Sequence, residues 1–161
     1  MLPEEVSKLI GKAGDVRVFE VEKEPIRRFA DAVGDSNPLY RDEEYARSSK
    51  YGSIIAPPGF ISSPWFSQPK SGAPSSTARE ELRNALQKAG YTNPAAVDAG
   101  IEYEFFCPVR AGDTIALTST IKDIVEREGK TGKMAFMTTE TRYTNQNGDL
   151  VAIARGTGIQ R

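Results

Sequence analysis

The sequence predicts an α+β fold in which helices and turns come first and a long antiparallel sheet then curves around a central helix. Three observations predict it. Apolar residues recur with a period of 3.6 before Ala99 and a period of 2 after it. Gly112-Asp113, Gly129–Gly132 and Asn147-Gly148 divide the second half into strands long enough for a meander. No internal repeat is visible, and no Ser/Pro/Gly-rich stretch separates two halves that each hold a core, so residues 1–161 read as one domain.

Taken in order, Leu2, Val6, Leu9 and Ile10 predict a short amphipathic helix ended by Gly11, and a strand follows around Asp15–Val21. In EPIRRFADAV, Ile26, Phe29, Ala30 and Val33 share one helical face, with Pro25 in the first turn and Gly34 just past the end. Gly34–Tyr40 reads as a turn, and Asp42–Ser49 as a short helix. The run Ser53–Ala56 leads into Pro57-Pro58-Gly59, and Phe60–Phe66 is expected to be helical until Pro64 interrupts it. Residues 67–76 are a loop by composition. Thr77 and Glu80 have capping-box spacing, and Leu82, Ala85, Leu86 and Ala89 form a stripe that Gly90 ends.

The strands follow. Ile101, Tyr103 and Phe105 alternate with Glu102 and Glu104. Ile115, Leu117 and Ile121 mark a second strand, Met134, Phe136 and Thr138 a third, and Leu150, Ala152 and Ala154 a last one. Asn147-Gly148 is a two-residue hairpin signal. One face of this sheet is expected to be buried, and the other face and the edges call for cover, for which dimerisation is the usual remedy.

Composition removes several classes of function. The chain carries 21 Lys and Arg against 22 Asp and Glu, a formal net charge of −1, so no basic excess speaks for a nucleic-acid partner. No apolar run approaches the length of a membrane helix, and MLPEEV is not expected to act as a signal peptide. The one cysteine, Cys107, forms no internal disulfide and fits a reducing, cytoplasmic setting; nothing beside it in sequence would activate it as a nucleophile. There is no histidine. Ser-His-Asp and Cys-His systems and His-ligated zinc are therefore excluded within this chain, no metal site is expected, and acid–base chemistry falls to Asp, Glu, Lys, Tyr or a partner.

The densest polar motif is Gly34-Asp35-Ser36-Asn37-Pro38-Leu39-Tyr40. On residue chemistry alone it is a helix-stop turn, since Asp, Asn and Pro all favour turns. In sequence context it resembles the GDxNPxH signature of the MaoC-like (R)-specific enoyl-CoA hydratases and dehydratases. Ile55-Ala-Pro-Pro-Gly-Phe60 is similar to the segment where that family's hot-dog helix begins. Ala99–Asp113 is similar to its strand and PVRxGD turn, and Asn145–Asp149 to its last hairpin. The segments occur in the family's order over nearly the whole chain, Gln68–Val97 being the least typical part.

The resemblance implies a hot-dog fold and the reversible addition of water to a trans-2-enoyl thioester, giving the 3-hydroxyacyl form. In the family the Asp, Asn and His of the signature handle the water, and a glycine backbone N–H meets the thioester oxygen. By position Asp35 and Asn37 carry over as catalytic candidates, and Gly59 matches the glycine. Tyr40 stands where the family has its histidine, and a neutral phenol donates a hydrogen bond but accepts a proton poorly at pH 7. Ser62 and Ser63 are candidate substrate contacts or local caps. Trp65 and Phe66 are read as core or interface residues. Arg41, Arg47, Lys50 and Lys70 are candidates for the CoA phosphates, with none singled out.

The NPLY variant resembles the N-terminal, fatty-synthase-like dehydratase branch, in which a second hot dog supplies Asp and His and long or bulky acyl groups, steroid side chains included, are processed. The expectation is therefore a subunit of an acyl-CoA hydratase or dehydratase, as a homodimer or as a heteromer with a His-bearing chain. CoA enters only as part of the substrate, with no further cofactor. Two alternatives stand beside it: a non-catalytic acyl-CoA-binding or scaffold module, and a self-sufficient hydratase using Asp35 with Tyr40. A thioesterase is a weaker third, since the order of segments fits hydratases better.

Overall fold

The computed structural model describes residues 2–63, 77–92, 97–129 and 132–161, with only the backbone of Thr77. Helices α1 (Glu4–Ser7), α2 (Lys23–Ala32), α3 (Glu43–Ser48) and α4 (Thr77–Lys88) and strands β1 (Arg17–Glu20), β2 (Val97–Phe105), β3 (Thr114–Gly129), β4 (Gly132–Thr144) and β5 (Leu150–Gln160) make it up. The strands form one antiparallel sheet in the order β1-β3-β4-β5-β2. This is an α+β hot-dog fold, its curved sheet carrying few helices.

Two apolar cores lie along the sheet. The first joins Ile26 and Ala30 of α2 to Phe60, Ile115, Leu117, Tyr143 and Ala152. The second joins Val6, Leu82 and Leu86 to Ile121, Ile124 and Ala135. The stripe foreseen for α4 is therefore the one it uses, and Gly90 follows its end. Burying a side chain such as Ile26 or Leu86 contributes roughly 1.5–3 kcal/mol. A bulge between Ile121 and Asp123 moves the inward face of β3 from the odd positions Ile115, Leu117 and Ile121 to the even position Ile124.

Several sequence expectations are corrected. Helix α1 stops at Ser7, and Ile10 is exposed, because Gly11 already bonds back to the Ile121 carbonyl. Strand β1 is shorter than Asp15–Val21. Phe60–Ser62 is a 3-10 turn and Ser63 is already extended; residues 64–66, the loop at 67–76 and the side chain of the Thr77 capping box lie outside the described residues. In β4 the buried residues are Ala135 and Tyr143; Phe136 lies on the opposite face under Arg127, whose guanidinium carbon is 5.0 Å from the ring centre. Period 2 shows that residues alternate, but not which face is covered. In β5 Val151, Ala152, Ile153 and Ala154 are all buried, so alternation disappears there.

The last hairpin also differs. Gly148 N–H donates to the Asn145 carbonyl, which puts Gln146 and Asn147 at the centre of the turn. Asn147 does not adopt the positive φ that a two-residue Asn-Gly turn requires.

Strand β2 departs furthest from expectation. It bonds only to β5, and its residues are exposed except for Tyr103, which is half-buried. Ile101 is 59% exposed, Phe105 45% and Phe106 51%. None of the described residues covers this edge. No described helix is long and apolar enough to cross a membrane.

Candidate active site

The end of α2 sets Asp35 in place. Gly34 takes φ +72°, and two reverse hydrogen bonds close the helix: Gly34 N–H to Asp31 O at 3.1 Å and Asp35 N–H to Ala30 O at 2.8 Å. This is the Schellman arrangement, and it fixes the backbone of Asp35. Asp35 Oδ1 then accepts the Asn37 N–H at 3.0 Å, and Asn37 Oδ1 accepts the Leu39 N–H at 3.0 Å, capping the 3-10 turn Pro38–Tyr40. The helix-stop reading of the motif is thus correct as far as it goes. It does not exhaust Asp35, whose Oδ2 has no hydrogen-bond donor among the described residues.

Tyr40 is buried in the first core at 7% exposure. Burial, then the charge of Asp35 and the neighbouring Tyr51, push its hydroxyl above the usual phenol value, while hydrogen bonding with the Asn37 side chain acts the other way. Asp35, Asn37 and Tyr40 therefore form one connected group.

The glycine candidate is tied to the same elements as this group. Leu39 O accepts the Ile55 N–H at 3.2 Å, so the segment leading to Gly59 runs beside the turn. Gly59 has φ +88°, a conformation other residues adopt only with strain. Phe60 packs edge-on to Phe29 of α2 with ring centres 5.9 Å apart. The Gly59 N–H has no acceptor among the described residues. Ser62 Oγ donates to the Gly59 carbonyl at 2.8 Å as a local cap, and Ser63 is buried.

The PVRAGD segment clasps the other side of the 54–56 run. Ala56 N–H donates to Val109 O, and Ala111 N–H to Ile54 O. Asp113 Oδ2 accepts the Arg110 N–H at 2.7 Å, and Asp113 Oδ1 accepts Gln146 Nε2 at 3.1 Å, joining this turn to the last hairpin. Asp113 is a turn residue, and Gln146 is a tie that no sequence motif revealed.

The remaining candidates disperse. Arg41 turns back onto Asp31 and the Asp35 carbonyl. Arg47 lines a cleft of about 190 Å³ with Lys23, Glu43 and Ser53. Lys50 Nζ sits 5.0 Å from the Tyr51 ring centre, and Trp65, Phe66 and Lys70 lie outside the described residues. A larger cleft of about 500 Å³ is lined by Tyr91, Thr92, Gly132, Lys133 and Arg161 among others. Neither cleft includes Asp35, Asn37, Tyr40, Gly59, Ser62 or Ser63. Burial raises the Cys107 thiol, which also lies near Asp149.

Residues 8–154 match the family model described as "FAS1-like, dehydratase domain region". The chain belongs to this MaoC-like hot-dog dehydratase family. It is similar to the "probable enoyl-CoA hydratase alpha subunit" of Thermomonospora curvata, 33% identical over 135 residues, covering 81% of this chain and 41% of that protein. The chain thus spans less than half the length of that relative. Among solved structures it superposes on the ChsH1-ChsH2 complex of Mycobacterium tuberculosis with a TM-score of 0.83 and 21% identity, over 98% of this chain and 89% of the other. The HadBC (3R-hydroxyacyl-ACP dehydratase) complex of the same organism gives a TM-score of 0.68 and 24% identity, over 94% and 96%. At these identities the two structures establish the fold.

Proposed function

We propose that the chain is one subunit of an acyl-CoA hydratase or dehydratase, paired with a second hot-dog chain that supplies the catalytic histidine. The observation that carries the reading is Tyr40: it occupies the family's histidine position as a buried phenol whose hydroxyl is pushed upward beside Asp35. A group that takes a proton from water near pH 7 needs a pKa near 7, and this phenol does not have one. Strand β2, exposed except at Tyr103, is a suitable edge for a second chain, and the alpha-subunit name of the Thermomonospora relative agrees with a paired assembly.

In this reading the partner's histidine removes a proton from water, the water oxygen bonds to C3 of the enoyl thioester, and the C2=C3 electrons shift onto the thioester oxygen. The Gly59 N–H meets that developing charge. The proton that the histidine took from water is then delivered to C2, which completes the 3-hydroxyacyl product and restores the neutral histidine. Asp35 Oδ2 and the Asn37 side chain help hold the water. No further cofactor takes part.

A second reading, an acyl-CoA-binding module without catalysis, draws support from Asp35 Oδ1 and Asn37 Oδ1 both serving the turn. One experiment separates them. Loss of enoyl-thioester absorbance is followed for short, long and sterol-like trans-2-enoyl-CoAs, and for the carrier-protein thioesters, with the chain alone and with a His-bearing hot-dog chain. Binding without turnover alone, and turnover when paired, is the expected result. Turnover by the chain alone that Asp35→Asn abolishes overturns the need for a partner; no turnover in either mixture leaves the binding module.

A further inference from the structure

We infer that Arg41 is a positioning residue that aims the Asp35 carboxylate, an inference that rests on Asp35 belonging to the acyl-CoA site. The guanidinium forks between two acceptors on either side of the motif. Arg41 Nη2 donates to the Asp35 backbone carbonyl at 2.6 Å, and Nη1 pairs with Asp31 Oδ1 at 3.0 Å. Asp31 is itself held from within α2 by Arg27 Nη1 at 3.0 Å. The last turn of α2, the Asp35 peptide and the residue after the 3-10 turn are thereby tied together.

The choice of acceptor matters. Arg41 binds the carbonyl of Asp35 and leaves its carboxylate alone, while Asp31 balances the guanidinium charge. Asp35 Oδ1 is occupied by the Asn37 N–H, so with the carbonyl also fixed the direction of Oδ2 is set at two points. A charge pair this exposed, with side chains 32% and 44% accessible, adds little to global stability. Its effect is local. Lysine, with a single point of charge, cannot reproduce the planar fork.

The test uses Arg41→Gln, Arg41→Lys and Asp31→Asn in the full chain. Amide exchange by NMR at Asn37 and Leu39, whose N–H groups the motif side chains hold, is expected to quicken at least fivefold in all three, with β3 and β4 unchanged. In the paired enzyme Arg41→Gln is expected to lower kcat three- to tenfold with KM within twofold, and to cause no further loss when Asp35→Asn is already present. Unchanged exchange at the two amides, exchange that rises equally through β3 and β4, or losses that multiply in the double variant would each overturn the inference. If the unmutated pair hydrates no enoyl-CoA, the functional reading fails and the exchange data alone decide the role of Arg41.

Discussion

One oxygen of the Asp35 carboxylate holds the Asn37 N–H at 3.0 Å, and the other has no donor among the described residues. The side chain is therefore half structural. Asparagine keeps an oxygen that can accept the same N–H, so Asp35→Asn is expected to fold normally. If Asp35 only assists a partner's histidine, the paired enzyme loses about tenfold in kcat, well short of the 10²–10⁴-fold typical of a lost acid or base. Steady-state kinetics with a thermal melt checks both halves of this statement.

Tyr40→Phe tests the self-sufficient alternative. The ring is buried in the first core, the cluster that also holds Ile54, Ile55 and Phe60, and the substitution keeps it there. A hydroxyl raised above the usual phenol range is not expected to relay protons, so kcat of the pair should fall less than threefold. A loss of a hundredfold would make Tyr40 a proton-transfer group.

The open edge makes a prediction about assembly. Lysine is a common deterrent on edge strands. Ile101→Lys and Phe105→Lys are expected to preserve far-UV circular dichroism and to abolish association with a second hot-dog chain in sedimentation velocity. Association that persists in both variants would move the interface away from β2.

Two tyrosines besides Tyr40 bear on the alkaline behaviour. Burial pushes the Tyr143 hydroxyl up to about 12, with Tyr103 adding to the rise and Arg17 opposing it. Burial and the 2.6 Å hydrogen bond to Glu126 push Tyr91 up to about 12. In the unfolded chain both ionise near 10. Between about pH 10 and 12 the native state therefore holds more protons than the unfolded state, and stability falls as pH rises through that window. The urea midpoint is expected to be lower at pH 11 than at pH 9, and Tyr143→Phe should reduce the difference.

Much of this was legible in the sequence because local chemistry and global fold agree. The stop at Gly34 and the stripe of α4 follow from period and caps, as does the α2 face through Ile26, Phe29 and Ala30; Val33, counted on that face, is 58% exposed because the helix ends at Ala32 and Val33 is its cap. The motif order pointed to the family, and placed Asp35, Asn37 and Tyr40 in one group. What stayed hidden depends on contacts between distant residues. The bulge after Ile121 shifts the inward face of β3, and Ala135 is buried in place of Phe136 because the helices cover that side. Exposure of β2 follows from its place at the edge of the sheet, which alternation alone does not reveal. Arg41 read as a possible phosphate contact, since nothing local tells a solvated arginine from one bonded across a turn.

The central claim is that the proton acceptor comes from another chain. It is tested most directly by reconstituting the pair with a His-bearing hot-dog chain and replacing that histidine with alanine, while Tyr40 and Asp35 stay intact. The account predicts that hydration of a trans-2-enoyl-CoA falls by at least a hundredfold while acyl-CoA binding and association are retained. Hydration that continues at the original rate would contradict it, and would return the chemistry to this chain's own residues.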